Sequence, residues 1–359
     1  MNLNVLSRTK RIDISQRLLK WYKENKRELP WRETRDPYKI WISEVILQQT
    51  RIAQGLNYYL RFVEKFPTVN VLAESSENEV LKSWQGLGYY TRARNLHKGA
   101  KTIVEMYDSK LPTTYKEILS IEGIGEYTAA AVLSIAYNKP YAVVDGNVYR
   151  VLSRLFAIKT PIDVTEGKKE FSRLARELLD VDNPGKHNQT VMEFGALHCT
   201  PAQPLCHSCP LEHLCIANQL HKQLDFPVKS RKVKVRSRYF HYFQIEYNGY
   251  TFINKRQDND IWKNMYEFPL IETDVKASLT DLMKVKYFEK LFSDSDVTFH
   301  QNLKQVKHIL THQNIFASFY TVKATKLNEY LKSNFLKIRV DEVSLFPISR
   351  LIHRYLERK

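Results

Sequence analysis

The sequence predicts two domains of different class: an all-α domain over residues 1–221 and an α+β domain over 239–359, joined by a basic linker at 222–238. Three observations predict this. Apolar residues recur at helical spacing up to about residue 218. A proline and the run Lys229-Ser-Arg-Lys-Val-Lys-Val-Arg-Ser-Arg238 then interrupt the periodicity, and aromatic and β-branched runs follow. At 359 residues, each part is long enough to bury its own core.

In chain order, Ile14, Leu18, Trp21 and Tyr22 mark a first helix, and Ser76-x-x-Glu79 and Thr114-x-x-Glu117 have the form of capping boxes. Leu119 to Ala131 reads as a helix end, a Gly-x-Gly turn and a second helix, and Ala129 to Ala136 is alanine-rich and apolar. Gly123 and Gly125 permit the tight turn and leave backbone NH groups at a helix N-terminus, where a phosphate can be held. An ordinary helix-to-helix turn would carry the same letters. In Val143-Val-Asp-Gly-Asn147, Asp145 is the one acidic residue of an apolar and neutral stretch. It can cap the helix that follows, and capping is compatible with catalysis. Beyond the linker, Asn248-Gly249 is a type I′ turn signal joining strands Tyr239–Tyr247 and Tyr250–Lys255 into a hairpin. Ile315 to Val322 predicts another strand, and Leu282–Leu291 and Ser349–Glu357 predict helices. There is no internal repeat and no low-complexity tract.

A net charge of +16 and a pI near 9.5 draw the chain toward polyanions, nucleic acid first among them, although excess lysine also serves simply to solvate a surface. No apolar run approaches the length a bilayer requires, and the N-terminus lacks the apolar core of a signal peptide. A cytoplasmic protein is expected.

The four cysteines, Cys199, Cys206, Cys209 and Cys215, fall in one window spaced C-x6-C-x2-C-x5-C. Four thiolates gathered there repel one another, and a metal centre neutralises them while cross-linking the loop. A disulfide framework fits poorly in a chain of this length. Zinc usually takes two short pairs, whereas only the central pair is short here, so a metal centre is expected, with structural zinc as one reading of it.

The cysteine spacing resembles the iron–sulfur loop of endonuclease III and the adenine glycosylases. Hairpin, aspartate and cysteine loop follow one another in the order seen in the helix-hairpin-helix DNA glycosylases. Leu29-Pro-Trp-Arg32 and Trp41-Ile-Ser-Glu-Val-Ile-Leu-Gln-Gln-Thr50 resemble, nearly letter for letter, the adenine DNA glycosylase (MutY) family. The resemblance implies one [4Fe-4S] cluster on the four cysteines, a phosphate-binding hairpin at Gly123 and Gly125, and two catalytic carboxylates. Glu44 would protonate the adenine leaving group; its apolar neighbours Ile42, Val45, Ile46 and Leu47 should raise its pKa, unless the helix leaves it solvated. Asp145, oriented by Asn147, would stabilise the oxocarbenium-like sugar. Members that also cleave the strand carry a lysine where this chain has Tyr127, so water should complete the reaction with little or no strand cleavage.

By the same resemblance, Trp31, Arg32 and Glu193 surround the extruded adenine, and Gln49 and Thr50 meet the opposite base. Leu87 and Tyr89 would form the wedge that fills the stack, although core packing is the commoner role of an aromatic near glycines. Ile261-Trp-Lys-Asn-Met-Tyr-Glu-Phe-Pro269 resembles the segment that opens a nudix-like recognition domain, yet no Gly-x5-Glu-x7-Arg-Glu-x-x-Glu-Glu run follows. A binding domain without phosphohydrolase activity is expected. Within His308-Ile-Leu-Thr-His312, the residues Leu310, Thr311 and His312 take the places of the loop that reads 8-oxoguanine, where the family usually shows Phe-Ser-His. A histidine there is otherwise a common β-edge residue.

The implied substrate is duplex DNA bearing adenine opposite 8-oxoguanine or guanine, acted on by a monomer at the nucleoid. A sliding clamp is a partner the residues do not encode. The rival readings are an endonuclease III-like glycosylase/lyase, against which Tyr127 and the second domain stand, and a catalytically silent iron–sulfur DNA-binding protein, against which Glu44 and Asp145 stand.

Overall fold

A computed structural model of the chain describes residues 7–230, 235–257, 260–301 and 305–358; residues 231–234 of the expected linker lie outside that range. The chain forms two compact units. One comprises Met1–Glu74 with Asn95–Arg231, and the other Ser75–Arg94 with Lys232–Lys359. The start of the expected linker is packed rather than free. Phe226 is buried, Ile162 NH donates to the Val228 carbonyl at 3.0 Å, and Ser230 NH donates to Asp163 at 2.9 Å.

Among the described residues, every regular element of the first unit is a helix. Ser7 caps the helix Arg8–Asn25, whose buried stripe Ile14, Leu18, Trp21 and Tyr22 is the one its spacing predicted. This stripe joins Val151 and Leu155 of helix Gly146–Phe156, Phe171 and Leu174 of helix Thr165–Leu178, and Phe194 of helix Pro184–Leu197 in a single core. Helix Pro37–Leu47 starts on the Asp36 cap with proline at its first turn, where the missing NH costs nothing. Tyr38, Trp41, Val45 and the residues between them other than Lys39 are buried, so the helix runs through the interior. Helix Tyr115–Leu119 ends before Gly123, which takes φ +84°, and helix Glu126–Ile135 begins at once with Gly125 as its cap. Thr114 accepts from Glu117 NH, but its hydroxyl also donates to the Glu117 carboxylate, so only half of the expected capping box forms there.

The second unit contains two sheets. Strands β1 (Arg236–Glu246), β4 (Leu270–Thr273), β5 (Asp296–Gln301), β6 (Val306–Ile309) and β7 (Gln313–Lys326) form one, in the order β4-β1-β7-β5 with β6 also on β7. Strands β2 (Tyr250–Lys255), β3 (Tyr266–Glu267) and β8 (Leu336–Arg339) form the other. β1 is parallel to β7 and antiparallel to β4, and Phe240, Tyr242, Phe243 and Ile245 are buried, as in a strand covered on both faces. Ser76 and Glu79 make the full capping box expected of them, at the start of helix Glu77–Ser83.

Two expectations are corrected. Asn248 and Gly249 take the positive φ values (50° and 80°) of a type I′ turn, but the flanking strands pair only at Tyr247 and Tyr250. Both edges of β1 are taken by β4 and β7, so β2 turns away to β3 and β8. The helix expected over Leu282–Leu291 is two helices, Leu279–Leu282 and Lys286–Phe292. Val285 between them is extended, which turns Phe288, Leu291 and Phe292 onto the core. The helix expected over Ser349–Glu357 forms as Arg350–Leu356, capped by Ser349. Among the described residues no helix is long and apolar enough to cross a membrane.

Candidate active site

Three helices of the first unit bring two carboxyl groups and a phenol together. Glu44 lies on the interior helix Pro37–Leu47 and is 7% exposed, which removes the solvated alternative. Tyr127, on the second hairpin helix, donates its Oη proton to Glu44 Oε2 at 2.5 Å. Asp145 stands at the start of Gly146–Phe156 and does cap it: Oδ1 accepts from Val148 NH at 2.7 Å. Its second oxygen accepts from Asn147 Nδ2 at 2.8 Å. Burial pushes the Glu44 carboxyl up to about 7; the Tyr127 hydrogen bond pulls it down, the Asp145 charge raises it and Arg32 lowers it. Asp145 is also raised by burial, opposed by its hydrogen bonds from Val148 and Asn147 and by Arg150. Tyr127 is held far above the usual phenol range by burial and then by the two carboxylates, so it stays a proton donor.

Below Asn147 lies a guanidinium that sequence reading missed. Arg150 Nη2 donates to Asn147 Oδ1 and to the Gly195 carbonyl, both at 2.7 Å, and its Nε donates to the Cys199 carbonyl at 2.8 Å. Gly195 packs so close that a Cβ there would lie 2.7 Å from Asn147 Cβ. The aspartate, its orienting amide and the helix leading to the cysteines are thus one packed assembly.

Glu193 is 1% exposed and shared by two arginines. Arg32 makes a bidentate pair with it at 2.8 and 2.7 Å, and Arg27 adds its backbone NH, Nε and Nη2 at 2.9, 2.9 and 2.5 Å. Burial would raise this carboxyl, but the hydrogen bonds from Arg27 and Arg32 hold it at about 2. Arg27 sits in the charged run Lys23-Glu-Asn-Lys-Arg27, which carries no signal of a buried partner. Trp31 is buried edge-on against Tyr59, 5.1 Å between centroids.

The four cysteines carry free thiols and line one cavity with Arg154, His198, Leu205 and Asn218. Cys199 follows helix Pro184–Leu197, and Cys206, Cys209 and Cys215 sit on two single 3₁₀ turns and the residues after them. Burial pushes the Cys209 thiol up to about 12, eased by the Leu211 NH and reinforced by the other thiols; Cys206 and Cys215 are raised for the same first reason. Arg154 donates to Cys199 Sγ at 3.4 Å and to the Thr200 and Pro201 carbonyls at 2.7 and 2.9 Å. Four half-buried thiols around a shared cavity, beside a cation, fit a multinuclear group that takes one thiolate at each corner.

Family models match the chain in two places: the HhH-GPD superfamily base excision DNA repair protein over residues 42–179, and the NUDIX domain over 241–358. The adenine DNA glycosylase of Buchnera aphidicola subsp. Schizaphis graminum is 35% identical over 264 residues, 73% of this chain and 76% of the relative. That of Buchnera aphidicola subsp. Baizongia pistaciae is 31% identical over 323 residues, 89% and 88% of the two chains. The chain belongs to the adenine DNA glycosylase family. It is therefore a DNA-binding base excision repair enzyme, and the silent binding protein is excluded. Endonuclease III, trapped in a covalent intermediate with DNA, matches 60% of this glycosylase and 99% of its own chain, with a TM-score of 0.53 and 25% identity. The helical half is thus a helix-hairpin-helix glycosylase domain, and the C-terminal part is a nudix-like α+β domain.

The remaining expected residues of the glycosylase lie as follows. Gln49, exposed and left-handed at φ +57°, and the half-buried Thr50 follow the end of helix Pro37–Leu47. Leu87 is buried, so of the two expected wedge residues only Tyr89, 47% exposed at φ +49°, presents itself. Leu310, Thr311 and His312 form the tip between β6 and β7, with Thr311 and His312 exposed. In the same unit, Tyr89 Oη and Thr311 Oγ1 are hydrogen-bonded at 2.6 Å.

Proposed function

We propose that this enzyme hydrolyses the N-glycosidic bond of adenine opposite 8-oxoguanine or guanine in duplex DNA. The observation that carries the chemistry is the pairing of Glu44, held near neutral pKa, with the aspartate Asp145. Glu44 delivers its proton to N7 of the extruded adenine, and the bond breaks to an oxocarbenium-like sugar. Asp145, fixed by Val148 NH and Asn147, meets that cation, and water completes hydrolysis. Tyr127 donates to Glu44 Oε2, which eases release of the Glu44 proton, and it supplies no amine, so strand cleavage is absent or weak.

Trp31, Arg32 and Glu193 shape the adenine pocket, with Glu193 acting through the arginines that occupy its oxygens. Gly123 and Gly125 hold a backbone phosphate at the hairpin. Gln49 and Thr50 meet the opposite base, Leu87 and Tyr89 supply the wedge that fills the stack, and Leu310, Thr311 and His312 read 8-oxoguanine. Cys199, Cys206, Cys209 and Cys215 hold one [4Fe-4S] cluster, which fastens the loop after helix Pro184–Leu197. The enzyme works as a monomer on the DNA of the cytoplasm.

The test is a single-turnover assay on duplexes with adenine opposite 8-oxoguanine, guanine or thymine, treated with alkali to reveal abasic sites. Release from the first two and not the third is expected. Binding without release, or strand breakage before alkali, would overturn the proposal.

A further inference from the structure

The segment Ile261–Pro269 stood out in the sequence, and neither the chemistry nor the base-reading residues use it. In the structure its turn is bent by two non-glycine residues in the left-handed region, Trp262 at φ +59° and Asn264 at φ +65°. Such a turn is strained unless its surroundings hold it. What holds it is specific. Arg256 NH donates to the Met265 carbonyl at 2.9 Å, and Asn264 NH donates to the Arg256 carbonyl at 2.7 Å.

Three polar groups of the turn meet the segment Ser75–Arg94, which belongs to the same compact unit. Asn264 Nδ2 donates to Glu77 Oε1 at 2.7 Å, at the first residue of helix Glu77–Ser83. Arg94 Nη1 donates to the Lys263 carbonyl at 2.9 Å, at the far end of the segment. Asn78 Nδ2 donates to Tyr266 Oη at 3.5 Å. Between the two anchored ends lies the Trp84–Tyr90 turn that carries Tyr89, whose hydroxyl meets Thr311 at the β6–β7 tip. The ring closes through Trp262, which packs on His308 at the base of that tip, 5.7 Å between centroids.

We infer that Trp262–Tyr266 is a bracket setting the wedge residue Tyr89 and the base-reading tip at Thr311 in register, and that Asn264 is its positioning residue. The inference rests on the mispair reading proposed above. Asn264 touches neither DNA nor the reacting atoms in this account. It acts through Glu77 on the helix that leads to Tyr89, and a hydrogen bond to a carboxylate is among the stronger single contacts available.

The test uses the full-length holoenzyme and four variants: Asn264→Gly, which keeps the left-handed backbone and removes the amide; Glu77→Ala; Glu77→Gln, which keeps an acceptor; and the Asn264→Gly/Glu77→Ala double. Amide hydrogen exchange over residues 84–90 should rise about tenfold in Asn264→Gly and Glu77→Ala, the loss of one charge-assisted bond. It should rise no further in the double variant and stay near wild type in Glu77→Gln. The ratio of single-turnover rates on 8-oxoguanine and guanine mispairs should fall by a similar factor, with the guanine rate kept within about twofold. Unchanged exchange would overturn the bracket. Faster exchange with an unchanged ratio, or an equal fall in both rates, would overturn its role in discrimination. A wild-type enzyme that releases adenine from neither mispair would instead sink the mispair reading, while the exchange data still decide the bracket.

Discussion

Glu44 is the residue on which pH acts. Its proton is present below about 7, so adenine release should fall as pH rises through that value, and it should fall again at lower pH where Asp145, raised by burial, takes up a proton. Replacing Tyr127 by Phe removes a hydrogen bond that lowers the Glu44 pKa, and the falling limb should move to higher pH. A limb that stays put would show that Glu44 is not the titrating acid. Glu44→Gln should slow release by roughly a hundred- to ten-thousandfold while duplex affinity in a gel-shift titration is kept. The same group has a linked effect on stability. Folding raises it from its ordinary 4.5 to about 7, so its contribution is full below 4.5 and declines as pH rises to about 7. Glu44→Gln should therefore melt above wild type at pH 8 and level with it at pH 4. Glu193 behaves oppositely, being ionised and tied to two arginines. Glu193→Ala leaves Arg32 without its counter-charge and should cost about 3–5 kcal/mol by urea unfolding.

At the scale of elements, the two hairpin glycines separate by experiment. Gly123 needs its positive φ, and a Cβ there would lie 2.8 Å from Asn95 Cβ, so Gly123→Ala should lose at least 1–2 kcal/mol, roughly the left-handed penalty alone. Gly125 has an ordinary φ of −93° and open space where its Cβ would stand. Gly125→Ala should keep its Tm and weaken DNA binding, by obstructing the approach of a phosphate. Equal affinity would remove Gly125 from the phosphate site. Helices were legible in the sequence where apolar spacing or a capping box marked them, as in the stripe Ile14, Leu18, Trp21 and Tyr22 and at Ser76 and Glu79. Strand partners were not. Asn248-Gly249 specified its own turn, but the neighbour of β1 depends on residues 77 positions away, in β7.

For the whole molecule, the cysteine loop joins the first and last parts of the helical unit. Arg154 ties it to helix Gly146–Phe156, and Arg17 reaches the Pro210 carbonyl at 3.4 Å. Cys209→Ser should lower bound iron from about four per chain, the content of one cubane, and lower the Tm. Full iron retention would show that Cys209 is not a ligand. The sequence by itself determined the helical and α+β halves, the carboxylates and tyrosine of the site, and the cysteine set. These are legible because local spacing and short strings that resemble the family write them directly into neighbouring residues. Only the tertiary structure decided that Arg27 and Arg150 belong to the site, that Leu87 is buried while Tyr89 is exposed, and that Ser75–Arg94 shares a unit with the C-terminal domain. A lone arginine or leucine carries no periodicity that reveals its partner. Burial and charge pairing are set by what the rest of the chain brings alongside.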